Sequence, residues 1–240
     1  MSNGFSHSSG SMTSAYSSSR LDHDRGSSMT MKRQVAGVRR MGAHPTLPYY
    51  LTGSQDGSVR LWEWSQQHCI GVARQPGSFP KVAKVAFSTQ GNKFGVGDSE
   101  GSVCLWQVGI GRSMTKPFLR LQCHNKSLSD FVFMGSSSVL ATAGHSLENR
   151  NVCIWDTLLP HRSALVQAFS CHHDGSAAVV YAPQHQALIS AGKKGDICIF
   201  DVRQRQLRHS FQAHDVAIRS MTLQPSESIF ATASVDGDIK

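Results

Sequence analysis

Leu61-Trp62-Glu63, Leu105-Trp106-Gln107, Ile154-Trp155-Asp156 and Ile199-Phe200-Asp201 are four versions of one phrase: an aliphatic residue, an aromatic and a polar residue. The aromatics stand 44 (62 to 106), 49 (106 to 155) and 45 (155 to 200) positions apart. A fifth version is under way in Val235-Asp236-Gly237-Asp238-Ile239-Lys240, where the sequence ends. Self-similarity at a fixed spacing is read before any local propensity, because it defines the structural unit.

Outward from the phrase, every unit divides into short alternating runs separated by turn residues. In the first unit these are Val35 to Met41, Tyr49 to Thr52, Val59 to Trp62 and Cys69 to Ala73. Gln55-Asp56-Gly57-Ser58 joins the second run to the third, and Asp-Gly suits the positive φ of a tight hairpin. The second unit offers Val82 to Phe87, Lys93 to Gly97, Val103 to Val108 and Phe118 to Gln122. The third and fourth repeat the scheme, and the fifth is cut within its third run. Four antiparallel strands in a unit of forty-odd residues ending in Trp-Asp make a blade of a WD-repeat β-propeller. The expected fold is therefore all-β, with four complete blades and part of a fifth, an incomplete ring.

Bulk properties narrow the class. The chain has 240 residues, 40% of them apolar, which suits a folded domain over residues 35–240. Residues 1–34 hold 11 serines and little apolar surface, so ordering them would cost more entropy than burial returns, and a disordered segment is expected there. No apolar run approaches the length of about 20 residues that a membrane-spanning helix needs. Six cysteines without a CxxC pair fit a reducing cytoplasm rather than a disulfide framework. The net charge of +8 gathers in Lys32-Arg33, Arg39-Arg40, Lys193-Lys194 and the Arg203, Arg205, Arg208 group. Such charge favours anionic partners, against a plainer reading as solvated loops.

In WD repeats a His in the loop entering a blade, a strand-b hydroxyl, a turn Asp and the strand-c Trp can form one buried hydrogen-bond chain, which stabilises only when complete. The set is uneven here. Unit one has Ser54, Asp56 and Trp62 without a His; Trp106 marks unit two. Unit three has His124 and Trp155 around a longer Glu148-Asn149-Arg150-Asn151 turn. Unit four has His172, with Lys193-Lys194 in its turn and Phe200 for Trp, and unit five has His214, Ser234 and Asp236. Since no unit shows all four, packing is expected to outweigh polar networks.

Three fragments imitate chemistry. Gly97-Asp98-Ser99-Glu100-Gly101 fits G-x-S-x-G, yet it aligns with the Gly53-to-Gly57 hairpin turn of the preceding unit and no helix follows. Gly95-Val96-Gly97 fails as a phosphate loop for the same reason. The Cys123-His124 and Cys171-His172 pairs evoke zinc, but Cys104, Cys153 and Cys198 occupy one repeat position in separate blades, so convergence of four ligands is not expected. No catalytic residues, cofactor or metal are predicted.

The wording of the repeats goes further. Ala43 to Trp64, Gln90 to Val108, Ser129 to Leu158 and Ala191 to Leu207 resemble the C-terminal WD repeats of the DmX-like proteins, or rabconnectins. The Ser146-to-Asn151 turn and Asp201-Val202-Arg203-Gln204-Arg205-Gln206 are the most specific parts of that resemblance. It implies a fragment of a very large non-catalytic cytoplasmic scaffold, peripheral on vesicle or endosomal membranes, synaptic vesicles included. It also implies a role in assembling the vacuolar proton-transporting ATPase, as in the fungal RAVE complex that joins the pump's two sectors. Expected partners are pump subunits or assembly factors and vesicle Rab regulators; nucleic acid is not expected. Partner capture is expected on the loop face bearing Arg150, Lys193 and Lys194. The alternative function is a basic WD-repeat adaptor in RNA handling or ubiquitin-ligase substrate recognition.

Overall fold

The computed structural model describes residues 37–65, 68–74, 80–109, 114, 116–135 and 138–240. The serine-rich stretch 1–34 lies outside them. Blade 1 comprises β1 (Val38–Ala43), β2 (Tyr49–Ser54), β3 (Ser58–Glu63) and β4 (His68–Arg74). Blade 2 comprises β5 (Val82–Phe87), β6 (Lys93–Asp98), β7 (Ser102–Gln107) and β8 (Leu119–Gln122). Blade 3 runs through β9 (Ser127–Met134), β10 (Val139–His145), β11 (Val152–Asp156) and β12 (Leu165–Phe169). Blade 4 runs through β13 (Ser176–Ala182), β14 (Ala187–Gly192), β15 (Asp196–Asp201) and β16 (Gln206–Gln212). β17 (Ile218–Leu223) and β18 (Phe230–Ser234) open blade 5, and an Ala233–Ile239 bridge begins its third strand. Every sheet is an antiparallel meander in chain order, as the repeat predicts. All eighteen strands fall on runs named from the sequence, with ends displaced by a few residues.

The first strands β1, β5, β9, β13 and β17 neighbour one another and form the inner side of the arc. β16 shows the opposite extreme, exposed along its whole length. The core is divided accordingly: apolar clusters lie between successive sheets, not within one. Leu51, Leu61, Val85, Phe94 and Trp106 fill the space between blades 1 and 2, and Leu105, Leu128, Phe131 and Leu140 that between blades 2 and 3. Each blade thus depends on its neighbour for burial.

Phe94-Gly95-Val96-Gly97 shows how the strand period serves this packing. Alternate side chains leave opposite faces of β6. Phe94 and Val96 enter the blade 1 side of the core, while a Cβ on Gly95 would press Phe131 at 2.8 Å. The glycines that imitate a phosphate loop exist to admit the ring of the next blade.

A second device recurs at the b–c turns. The carbonyl of Gly101 accepts N–H bonds from Cys123 (2.9 Å) and His124 (3.0 Å), and that of Gly195 accepts from Ala213 (3.0 Å) and His214 (3.1 Å). Both glycines have positive φ, 89° and 87°, and a side chain on either would strike the carbonyl oxygen of the histidine. The turn of one blade therefore fixes the loop that enters the next.

Candidate interaction site on the loop face

The recurring polar chain is more complete than the sequence reading allowed. In blade 3 the Trp155 indole donates to Thr142 Oγ1 at 3.0 Å, Thr142 meets His124 Nε2 at 3.0 Å, and His124 Nδ1 meets Ser146 Oγ at 3.1 Å. The long turn supplies Ser146 where other repeats supply an aspartate, and Asn151 Oδ1 receives the Ser146 N–H at 2.9 Å. Burial of this imidazole disfavours its charged form and pushes it down to about 4.

Blade 4 closes its chain differently. His172 Nε2 meets Ser190 Oγ at 2.7 Å, and Nδ1 bonds the Asp196 carboxylate. Burial raises Asp196, but the hydrogen bond and charge of His172 outweigh it and hold the carboxyl below its ordinary value. Asp196 follows the Lys193-Lys194 pair, and the sequence reading had passed over it. In blade 5, His214 Nε2 meets Thr232 Oγ1 at 2.8 Å, with Asp238 3.5 Å from Nδ1.

The strand-b hydroxyls are thus Thr52, Thr142, Ser190 and Thr232, two positions before the expected Ser54 and Ser234. Trp62 donates to Thr52 Oγ1 at 2.8 Å. Asp56 and Asp236 serve their own turns instead of a histidine: Asp56 accepts from Ser58 N at 3.0 Å, and Asp236 from Ser234 Oγ. Blade 2 lacks the hydroxyl, because Val96 stands at its place opposite Cys104, and the buried Trp106 indole nitrogen finds no acceptor among the described residues.

Repeat equivalence separates cysteines of different blades, but it brings together the loop and strand-c cysteines of one blade. Ligand atoms of Cys171, His172 and Cys198 lie within 4.8 Å of one another, which corrects the expectation that such groups stay apart. Both ring nitrogens of His172 are already committed to Ser190 and Asp196, so the trio reads as part of the blade 4 polar chain.

The three candidate docking residues divide. Arg150 pairs with Glu148 at 2.9 Å and Lys194 with Asp174 at 3.2 Å, both on exposed loops. Lys193 instead lines a cavity of about 420 Å³ where the inner strands begin, together with Arg39, Arg40, Lys81 and Arg219. Ser99, Ser127 and Ser129 add hydroxyls, Val82, Leu128 and Ile218 add apolar surface, and no carboxylate of the described residues lines it. None of the five cations makes an ion pair with a described carboxylate. Arg40 is held in place, its Nε donating to Ala83 O at 2.6 Å across the blade 1–2 junction. Nearby, partial burial and then the charges of Lys126 and Lys193 hold His145 below its ordinary value. Arg203 and Arg208 lie elsewhere, at the c–d turn of blade 4, where Arg208 is neutralised by Asp201.

Lys81 and Arg219 were not singled out in the sequence, because neither stands in an adjacent pair of cations. The available signal was positional: Arg39, Lys81 and Arg219 all sit at or beside the start of a first strand.

Comparison with known proteins agrees with this architecture. The family described as WD domain, G-beta repeat matches residues 28–63, 115–156 and 205–240. DmX-like protein 1 of Mus musculus and that of Homo sapiens are each 49% identical over 221 residues, 90% of this chain. The chain is a DmX-like WD-repeat segment. It spans 7% of the length of those relatives. Pre-mRNA-processing factor 19 homolog 2 of Arabidopsis thaliana is 25% identical over 127 residues, 53% of this chain and 23% of that protein. Among the described residues of this DmX-like segment, no helix is long and apolar enough to cross a membrane.

Proposed function

We propose that this DmX-like segment is a non-catalytic protein-interaction module, and that it acts within a cytoplasmic scaffold for assembly and regulation of the vacuolar proton-transporting ATPase. The observation behind this reading is the 49% identity to DmX-like protein 1 across 90% of the chain, joined to a fold of repeated antiparallel sheets. The likeness supports peripheral attachment to vesicle or endosomal membranes through partners, Rab regulators among them. The loop face is the proposed docking surface, since loops on a rigid frame are free to specify a partner.

Affinity capture with this chain, and with a version extended by further repeats, tests the reading. Recovery of proton-pump sector subunits is the expected outcome; their absence from both captures counts against it. A second reading, a basic adaptor in RNA handling or ubiquitin-ligase substrate recognition, draws on the unpaired cations of the loop face. Homopolymer RNA binding measured over a salt series addresses it, because phosphate neutralisation makes binding fall steeply with salt.

A further inference from the structure

Five cations converge on one cavity without a carboxylate among its described lining residues, and four of the five blades contribute them: Arg39 and Arg40, Lys81, Lys193 and Arg219. Like charges gathered at one site repel one another, and compact domains usually offset such groups with opposite charge. This chain does so elsewhere: Lys84 pairs with Asp130 at 2.7 Å further along the same inner strands, Lys194 with Asp174 and Arg208 with Asp201. Other cations, such as Lys126 and Arg162, also lack a described carboxylate partner, but they lie apart on exposed loops; the gathering of five at one cavity is what calls for a negative group supplied from outside.

The form of the lining narrows that group. Guanidinium, ammonium and hydroxyl donors are interleaved with Val82, Leu128, Ile218 and alanine side chains. Arg and Lys donors suit carboxylates, and the apolar patches between them suit the aliphatic stems and backbone of a peptide. No aromatic ring of the described residues lines the cavity, so among them it lacks the stacking platforms that single-stranded nucleic acid uses. We propose that the cavity at the head of the inner strands binds an acidic peptide segment of a partner protein, with Lys81, Lys193 and Arg219 as its charge-reading residues. This rests on the interaction-module reading and names the chemistry of its partner.

The test is fluorescence anisotropy of a labelled glutamate-rich peptide with the full chain over a salt series. The cavity variant is Lys81→Glu with Lys193→Glu. The control, Arg162→Glu with Arg203→Glu, makes the same change in net charge on the exposed c–d loops of blades 3 and 4. Circular dichroism verifies that both variants fold. The expected result is salt-sensitive binding by the parent chain, weakened about tenfold or more in the cavity variant and within about twofold of the parent in the control. Equal weakening in both variants, or no binding at low salt, would overturn the proposal. So would tighter, cavity-dependent binding of polyuridylate than of the peptide. Pump-subunit capture by the parent chain is a separate readout, so the interaction-module reading and the acidic-peptide site can fail independently.

Discussion

Blades 2 and 3 present the same tryptophan at the same place on the third strand, yet the two indoles have opposite fates. Trp155 ends a chain of hydrogen bonds through Thr142 and His124 to Ser146. Trp106, with 2% of its surface exposed, leaves its N–H without an acceptor among the described residues and relies on packing, its ring stacked on Phe94 at 5.6 Å and 5°. Both sheets nonetheless form, with the same strand order. The repeat fold is therefore set by the apolar faces and the turn geometry, while the polar chain is a local addition that ties an entering loop to the middle of its blade.

The comparison is broken most forcefully at His124. His124→Ala removes the ring linking Thr142 to Ser146 and leaves a cavity beneath the loop entering blade 3. A loss of roughly 3 kcal/mol in chemical unfolding is expected. Burial also makes the same residue a pH sensor of stability. Its pKa is about 4 in the fold against an ordinary 6.5, so the unfolded chain takes up a proton that the folded chain refuses. Stability is present in full above the ordinary value and falls as pH drops from 6.5 towards 4, by an amount on the order of 3 kcal/mol. Denaturant midpoints measured across that window should show the slope, and His124→Gln should flatten it. An unchanged slope in the variant would place the acid sensitivity elsewhere.

The two tryptophans supply a matched pair. Trp155→Phe and Trp106→Phe remove the same volume, but only the first breaks a hydrogen bond, and the second removes an unpaired buried donor. Trp155→Phe should cost more than Trp106→Phe by about 1–2 kcal/mol. Equal losses in thermal unfolding would mean that the Trp155 bond contributes nothing beyond packing.

What could be read from the sequence follows the same division. The spaced aromatics and Asp-Gly turns were enough to place every described strand, because side-chain alternation and turn chemistry are local. The hydroxyls were misplaced because they were counted from the turn, at Ser54 beside Asp56, whereas the indole selects its partner across the sheet. Trp62 lies opposite Tyr50, so the residue its N–H reaches is Thr52. Ser146 was missed because the longer turn of blade 3 places the acceptor at a different offset, and Asp196 because it follows the turn glycine, Gly195, whereas the expected Asp56 precedes Gly57. The cation cluster was the least legible, since Arg39, Lys81, Lys193 and Arg219 meet only once separate blades are packed side by side.

The finest test converts one blade into the other. Val96 occupies the position held by Thr52 in blade 1 and Thr142 in blade 3, each of whose hydroxyls accepts an indole N–H, at 2.8 and 3.0 Å. Val96→Thr keeps the branched shape and offers a hydroxyl to Trp106 Nε1. The register of β6 against β7 matches that of blades 1 and 3, so the new bond should raise stability by about 1 kcal/mol. A hydroxyl that finds no partner would instead lower it by a similar amount, so the sign of the change decides. The gain should also vanish when Trp106→Phe is made together with Val96→Thr, because a double-mutant cycle isolates the pair. A gain that survives the loss of the indole would assign it to some other contact of the threonine, and blade 2 would then be held by packing even where a polar chain could form.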